Sequence, residues 1–500
     1  MYPNKQAFVA LAARGFSMVP VGIELPADTL TPVAAFLRLT RGGRKQAFLL
    51  ESADGGEQIG RFSFLGVDPF AALTYQDNRL AYVSAFESAT SPTTNPMHEI
   101  GARIAAVTAP QHPEFPPFQG GVVGYVAYDA VRFLERLPIQ GDQSFPDVRL
   151  MFFKNVVAFD HLKRCFYLMT LVPTAGDRDR AYDEAEQTLN GLRARLSVPS
   201  GDESWLELPP LNDDGDELPP PAALMGAERY HAAVGQIKQA IRRGDIFQCV
   251  LSDRFALDIK ADPFTIYRIL RTLNPSPYLF YLAMDDSVLL GSSPEMLMRA
   301  GGGTITTRPI AGTRPRGRNA EEDKKLERDL FASVKERAEH LMLVDLGRND
   351  IGRMAKPGTV SVDEFMKVER FSHVMHLVST VSGKLDKRYT PWEAFCSCFP
   401  AGTLSGAPKI KAMEVIARLE ATARGAYGGA VVAHDFSGNL NSCITIRSLF
   451  IKGEQGYTQA GAGIVADSRA ASEYQEVLNK ARAVRRAVHL ANLSAKGRRT

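Results

Sequence analysis

Apolar and polar positions fall into short runs over the first third of the chain and into helical stripes further on. Short or alternating apolar runs bounded by turn residues predict strands over Ala47–Ser52, Ala71–Tyr75 and Leu80–Val83. Longer runs over Met151–Phe159 and Cys165–Leu171 flank a turn at His161–Arg164. Arg178–Arg195, charged with leucines at helical spacing, predicts a helix. Beyond it Tyr230, Val234, Ile237 and Ile241 recur at i, i+4, i+7 and i+11, and Arg242, Arg243 and Gly244 follow. That is an apolar stripe, a basic last turn and a glycine stop. A second helix is predicted from about Glu321 to Asp345. Near the end, Ala430–Phe436, Leu440–Ile451 and Tyr457–Ala460 predict strands joined by turns at Ser437–Asn439 and Gly453–Gly456, before a closing helix over Ser468–Leu493. Consecutive hairpins need antiparallel pairing, so the class is α+β and a doubly wound parallel sheet is disfavoured. At the start, Phe8, Leu11 and Phe16 have helical spacing and Arg14 cuts the apolar run short, which predicts a small amphipathic helix rather than a signal peptide.

One segment breaks this pattern. Pro199–Pro221 reads PSGDESWLELPPLNDDGDELPPP, and no Lys or Arg occurs between Arg195 and Arg229. Such a stretch cannot bury enough apolar surface to order itself strongly. It divides the chain into an N-terminal domain over 1–198, an acidic, proline-rich linker over 199–222 and a C-terminal domain over 223–500. The 500 residues are 45% hydrophobic and 23% charged with a net charge of +3, which fits folded domains. The near-neutral balance gives no support to a nucleic-acid or membrane-surface binder, and no apolar run approaches the ~18 residues of a membrane span. Five cysteines, none in CxxC spacing, argue against a disulfide framework or structural zinc and point to a reducing, cytoplasmic compartment.

Several residues could carry chemistry. Glu336 and Glu339, and separately Glu473 and Glu476, form i, i+3 pairs on predicted helices, with Lys480 one turn beyond the second pair. Each pair is either a solvated face or half of an oxygen-rich site suited to Mg²⁺ with substrate in its open positions. Gly461-Ala462-Gly463 precedes the closing helix and is either an ordinary strand-to-helix turn or a set of backbone donors for an anion. Arg447 ends the predicted strand run Cys443–Arg447, where alternation sets it beside Thr445 and Cys443; its partner is a carboxylate of the protein or of a ligand. His373 and His376 lie on one β-branched run and so point to opposite faces, which argues against a shared zinc site. Gly402–Lys409, GTLSGAPK, fails as a phosphate-binding P-loop, because Ala407-Pro408 separates glycine from lysine and removes an N–H.

Taken together, GDIFQ (244–248), NPSPYLFY (274–281), GSSPE (291–295), TRPIAGTRPRG (307–317), RAEHLMLVDLGRNDIGR (337–353), HVMHLVS, AGTLSGAPK, YGG (427–429), TIRS, QAGAGIVADS and NKARA resemble the chorismate-binding enzymes, in particular their anthranilate synthase component I branch. Upstream, LLES (49–52) and RFSFLG (61–66) resemble the regulatory half of that branch. The resemblance implies two domains of mainly antiparallel sheets packed as a sandwich with helices outside, the first domain regulatory and the second catalytic. It implies Mg²⁺ held by Glu339 and Glu476, with Glu336 and Glu473 in an outer shell. Tyr427, Arg447, Gly461, Ala462, Gly463, Gly312, Thr313 and Lys480 would bind chorismate. His376 would act in acid–base chemistry at the departing hydroxyl, beside Thr403. The implied reaction is Mg-dependent conversion of chorismate and ammonia to anthranilate and pyruvate in tryptophan biosynthesis. Ammonia would come from a glutamine amidotransferase subunit, in a heterotetramer, since no cysteine here is flanked by glycines as a glutaminase nucleophile would be. Tryptophan would inhibit at Glu51, Ser52, Pro277, Tyr278, Leu279 and Phe280. Two positions bear on specificity. Ala311 stands where aminodeoxychorismate-forming relatives carry lysine, and Gln248 where water-adding relatives carry a lysine base. The alternatives are an aminodeoxychorismate synthase component I and a catalytically silent tryptophan-binding relative. Cys249 and Asp253 are left without a role by the sequence.

Overall fold

The computed structural model describes all residues except 42, 44, 53–59, 140, 142–143, 202, 204, 207–217, 371–373, 421 and 498–500. His373 and much of the acidic linker therefore lie outside the described residues.

Among the described residues, two antiparallel sheets, each of twelve strands, stack face to face with helices on their outer sides. The strands that build them are apolar on both faces. Within Gln46–Glu51, Ala47 and Leu49 face the helices while Phe48 faces the other sheet. Within Val148–Phe153, Leu150 and Phe152 face outward and Met151 and Phe153 inward. Period-two alternation thus feeds two cores from one strand. The inner layer joins Phe48, Tyr125, Phe153, Phe280 and Phe450, all nearly fully buried. At about 1.5–3 kcal/mol for each large side chain removed from water, this layer rather than any surface ion pair holds the sheets together. On the far side of the first sheet lie helices Arg178–Ser197, Pro263–Leu273 and Ala470–Gly497. On the far side of the second lie Pro96–Ala105 and Pro391–Cys398. The N-terminal helix forms over Lys5–Ala12, capped by Asn4, with Phe8 buried.

Segments from before and after the linker pair in both sheets: Gln46–Glu51 with Tyr278–Met284, and Gly121–Val126 with Ala430–Asp435. The two halves of the sequence are therefore joined by hydrogen-bonded ladders, not by the linker alone. Within the linker, Glu203 receives the Arg38 guanidinium at 2.8 Å.

Three predicted elements differ from the structure. The run Met151–Phe159 is two strands, Val148–Phe153 in one sheet and Asn155–Asp160 in the other, with Lys154 between them. The run Leu440–Ile451 is likewise split into Leu440–Ile444 and Ser448–Lys452, in different sheets. Arg447 is therefore not on a continuous strand; it sits at the switch, with φ +49°. The helix predicted over Glu321–Asp345 is two helices, Ala320–Ala332 and Val334–Gly352. Ser333 breaks it because its hydroxyl accepts the Glu336 N–H, an N-cap that restarts the helix on a new axis. The unexplained Asp253 also finds a role. Its carboxylate accepts the Met225 and Gly226 N–H groups at 2.8 and 2.9 Å, closing the start of helix Gly226–Arg242 from a neighbouring strand. Cys249 is buried against helix Lys409–Leu419 as a small apolar residue, and all five cysteines are free.

Candidate active site

The site forms where two neighbouring chain segments leave one sheet for the other. Ser287–Ser293 continues into Met296–Gly301 through Pro294-Glu295, and Leu440–Ile444 into Ser448–Lys452 through Thr445–Arg447. The two switches run side by side: Ser292 N–H donates to the Arg447 carbonyl at 3.1 Å and Ile444 N–H to the Glu295 carbonyl at 3.0 Å. This brings the Glu295 carboxyl within electrostatic reach of Arg447. Burial pushes that carboxyl up to about 7, against the opposing pull of the Thr403 hydroxyl, Lys480 and Arg447. Arg447 is half-buried, and desolvation lowers its proton affinity while Glu295 partly restores it. Sequence reasoning singled out Arg447 and Thr403 but passed over Glu295. The available signal was a carboxylate directly after proline, at the end of an apolar strand, in GSSPE.

His376 stands on strand Val374–Lys384, opposite Ile310–Pro315. The register slips between Ala311 and Thr313, so Gly312 is bulged out. Its φ is +68°, and a Cβ there would meet Leu330 Cδ1 at 2.9 Å, so the bulge demands glycine. The bulge turns the Gly312 carbonyl onto His376 Nδ1 at 2.8 Å, with Thr313 Oγ1 at 3.1 Å. Because a carbonyl only accepts, Nδ1 carries the proton and the neutral ring keeps its lone pair on Nε2. Burial, with Arg447 adding to it, lowers the proton affinity of this histidine. The arrangement thus leaves His376 Nε2 as a hydrogen-bond acceptor, while burial keeps the Glu295 carboxyl partly protonated near neutral pH. Ala311 is buried.

Across the site, Glu336 and Glu339 project from helix Val334–Gly352, and Glu473 and Glu476 from Ala470–Gly497. Burial first, then the charges of Glu336 and Glu476, raise the proton affinity of Glu339, so three of the four carboxylates interact. Gln248 Nε2 donates to Glu339 Oε1 at 3.2 Å. Glu336 Oε1 also receives Arg314 at 3.2 Å, and Lys480 bridges Glu476 Oε1 at 2.7 Å and the Gly461 carbonyl at 3.0 Å. Among the described residues no three His, Cys, Asp or Glu side chains converge tightly enough to enclose a metal ion. Mg²⁺ does not require that, since it keeps waters and takes one or two carboxylates plus substrate oxygens. Glu339 and Glu476, hard oxygen donors that repel one another across the site, fit such an ion.

The segment Gly461–Gly463 is not a loop. Strand Gln455–Ile464 runs through it, paired on one side with Gln248–Asp258. Its other edge pairs with Ser448–Lys452 only as far as Tyr457, so beyond that point backbone groups face the site. Tyr427 closes the wall: a Cβ at Gly461 would come 2.8 Å from its hydroxyl. The loop carrying Tyr427 is tied to the Arg447 switch, with Gly428 N–H on the Thr445 carbonyl and Thr445 N–H on the Gly429 carbonyl, both at 2.9 Å. A pocket lined by Glu295, Thr403, Arg308, Leu343, Leu346 and Asp350 continues beneath. Lys409 of GTLSGAPK is engaged by Asp350 at 2.7 Å, as suits a structural lysine rather than a phosphate ligand. The site is thus two-ended: a guanidinium with a proton-bearing carboxyl at one end, carboxylates at the other.

The six residues expected to form a regulatory site divide by strand alternation. Glu51 pairs in register with Leu279 and both face the helices. There Glu51 accepts Tyr267 Oη at 2.7 Å and Arg271 Nη2 at 2.9 Å. A cavity of about 570 Å³ opens at this point, lined by Glu51, Ser52, Ser63, His161, Arg271 and Leu279. Phe280 and Tyr278, one residue to either side of Leu279, point instead into the layer between the sheets. Those two do not line this cavity, nor does Pro277. The Ser52 hydroxyl is buried without a hydrogen-bond partner among the described residues.

The family model for chorismate binding enzymes matches residues 45–486. The chain is 42% identical to anthranilate synthase component 1 of Acetivibrio thermocellus, over 96% of this chain and 97% of that one. It is 42% identical to the Pseudomonas aeruginosa protein of the same name, over 98% and 99%. Among solved structures, anthranilate synthase component I of Streptococcus pneumoniae TIGR4 superposes with a TM-score of 0.75 at 34% identity, covering 92% of this chain and 99% of that one. The Escherichia coli isochorismate synthase MenF shares the fold, with a TM-score of 0.68 at 19% identity over 97% and 98%.

Proposed function

Because the chain belongs to the chorismate-binding enzyme family, we propose that it is the large subunit of an anthranilate synthase, a lyase converting chorismate and ammonia to anthranilate, pyruvate and water. The observation that carries this reading is the two-ended charge pattern with two neutral residues set into it, Gln248 beside Glu339 and the buried Ala311. A dianionic substrate needs compensation at both ends. Arg447 and Tyr427 grip the enolpyruvyl carboxylate, and the ring carboxylate lies toward Glu339 and Glu476. Mg²⁺ held by those two carboxylates would neutralise the ring carboxylate and draw charge toward it as the nucleophile adds. Ammonia adds at C2 as the C4 hydroxyl departs. Glu295, protonated near neutral pH, donates so that water leaves. His376, neutral with its lone pair on Nε2, accepts the proton released as pyruvate is eliminated and the ring becomes aromatic. Water would have to be deprotonated before attacking, and Gln248 cannot do that; ammonia needs no such base. Ala311 has no amine with which to form a covalent adduct.

Ammonia comes from a separate glutamine amidotransferase subunit in this reading. Supporting it, burial pushes every cysteine thiol up, Cys249 and Cys398 to about 12, so none is an activated nucleophile. Tryptophan acts as feedback inhibitor in the region of Glu51, Ser52 and Leu279, where the Ser52 hydroxyl has no hydrogen-bond partner among the described residues. No described helix is long and apolar enough to cross a membrane. The test is direct. The purified chain with chorismate, a magnesium salt and ammonium should produce anthranilate fluorescence, and glutamine should replace ammonium only when an amidotransferase subunit is added. Aminodeoxychorismate as product, or no turnover, would overturn the reading.

A further inference from the structure

We infer that Arg424, outside the residues that meet substrate, is a positioning residue for this site; the inference rests on the reading above. Arg424 is 1% exposed, and its side chain makes four hydrogen bonds and two ring contacts. Its Nη1 donates to the Leu404 carbonyl at 2.6 Å and its Nη2 to the Val250 carbonyl at 2.7 Å. Nη2 and Nε also bind Glu420 at 2.6 and 2.8 Å. The guanidinium lies 4.5 Å from the Tyr128 ring centre and 5.6 Å from that of Tyr427. Its own backbone N–H is held by Asp129 at 3.2 Å.

Each anchor leads to a residue of the site. Leu404 follows Thr403, whose hydroxyl faces Glu295. Val250 lies two residues beyond Gln248, the partner of Glu339. Tyr427 is the side chain that closes against Gly461. Glu420 fastens the same strand again, accepting Ser252 N–H and Oγ–H at 2.9 and 2.6 Å. One planar cation thus fixes its own segment, which carries Glu420 and Tyr427, against Leu404 and against Val250, 174 residues earlier in the sequence. A guanidinium can serve both carbonyls and the carboxylate at once because its donors diverge in one plane; an ammonium cannot reach all three. The ion pair with Glu420 alone would be met by lysine, so the two backbone bonds are what arginine specifically adds.

The discriminating variant is Arg424→Lys, which keeps the charge opposite Glu420 and gives up the carbonyl bonds. Since a misplacement of about 1 Å can cost ~10²-fold in rate, kcat should fall at least tenfold. KM for chorismate should change less than threefold, because Arg447 is held by the paired chain switches and not by Arg424. Hydrogen exchange by mass spectrometry should rise selectively in peptides covering 248–251 and 402–405. A second variant, Arg424→Gln with Glu420→Gln, leaves no buried charge unpaired and should show the same kcat loss and the same local exchange. Normal kcat per folded molecule in either variant, or exchange raised evenly over the chain, would overturn the inference. A parent chain that makes no anthranilate would instead refute the functional reading, and the exchange pattern would still decide the role of Arg424.

Discussion

Replacing Glu295 with Gln should remove activity and at the same time stabilise the protein, by an amount that depends on pH. Glu295 is held protonated by its surroundings: burial raises its carboxyl from an ordinary 4.5 to about 7. The folded chain therefore binds a proton that the unfolded chain releases between those two values. The stability this group contributes is present below pH 4.5 and lost as the pH rises through 7. The difference corresponds to about 3 kcal/mol above pH 7, at 1.36 kcal/mol for each pH unit. Gln mimics the protonated form at every pH and escapes that loss. For a chain of this length, unfolding entropy is about 1 kcal/mol per degree, so the gain reads as a Tm about 3 °C higher at pH 8 and about 1 °C or less at pH 5. The same substitution removes the proton donor for the departing hydroxyl, a contribution of about 10²–10⁴-fold in kcat. In the parent, kcat/KM should fall above about pH 7 as Glu295 ionises; in Glu295→Gln that limb should vanish. Thermal unfolding at the two pH values and initial rates of anthranilate formation measure both effects. A Tm difference that is the same at pH 5 and pH 8 would refute the buried-carboxyl argument, and near-normal turnover would remove Glu295 from the chemistry.

Glu339→Gln or Glu476→Gln should lower kcat/KM at least ~100-fold, about 2.7 kcal/mol, with the fold intact by circular dichroism; activity of the parent should be lost with a chelator and return with Mg²⁺, and retained activity in either variant would sink the ligand assignment. Ser52→Phe should weaken inhibition by tryptophan at least roughly tenfold, about 1.4 kcal/mol, with uninhibited turnover unchanged, read from rates against tryptophan concentration. Asp253→Ala should cost about 1–2 kcal/mol of stability, or ~1–2 °C in Tm, by releasing the Met225 and Gly226 N–H groups it caps, while leaving kcat near that of the parent.

The residues whose meaning is local were legible in the sequence. The stripe Tyr230, Val234, Ile237 gives a helix because its spacing alone decides which face is buried, and the structure sets it over Gly226–Arg242. The hairpin turn at Ser437–Asn439 is equally local, since Asp435 accepts the Ser437 and Asn439 N–H groups from within the turn. The i, i+3 carboxylate pairs were visible for the same reason, although spacing alone left open whether they face solvent or a site. What spacing could not report is which sheet a strand belongs to. Met151–Phe159 and Leu440–Ile451 read as single strands because the residues on both sides of each switch are equally apolar, and a stacked sandwich buries both faces of either sheet. No glycine or proline marks Lys154 or Arg447 as a turn.

The functional centre depends on those switches. Had Cys443–Arg447 stayed in one sheet, alternation would have set Arg447 beside Cys443, which is buried in the layer between the sheets. An unpaired guanidinium there would carry a desolvation cost of several kcal/mol. By leaving the sheet after Ile444 and taking φ +49° at Arg447, the backbone accepts a strain of about 1–3 kcal/mol and turns the guanidinium out of that layer toward Glu295, Asn274 and the open site. The neighbouring switch at Pro294-Glu295 does the same for a carboxylate, and the hydrogen bonds Ser292 to Arg447 and Ile444 to Glu295 make each switch hold the other in place. Residues about 150 positions apart in sequence thus become one acid–cation pair, and neither is informative until the other is placed. That explains why Arg447 was conspicuous in sequence for the wrong geometric reason, and why Glu295, its partner, gave no signal beyond a carboxylate following a proline.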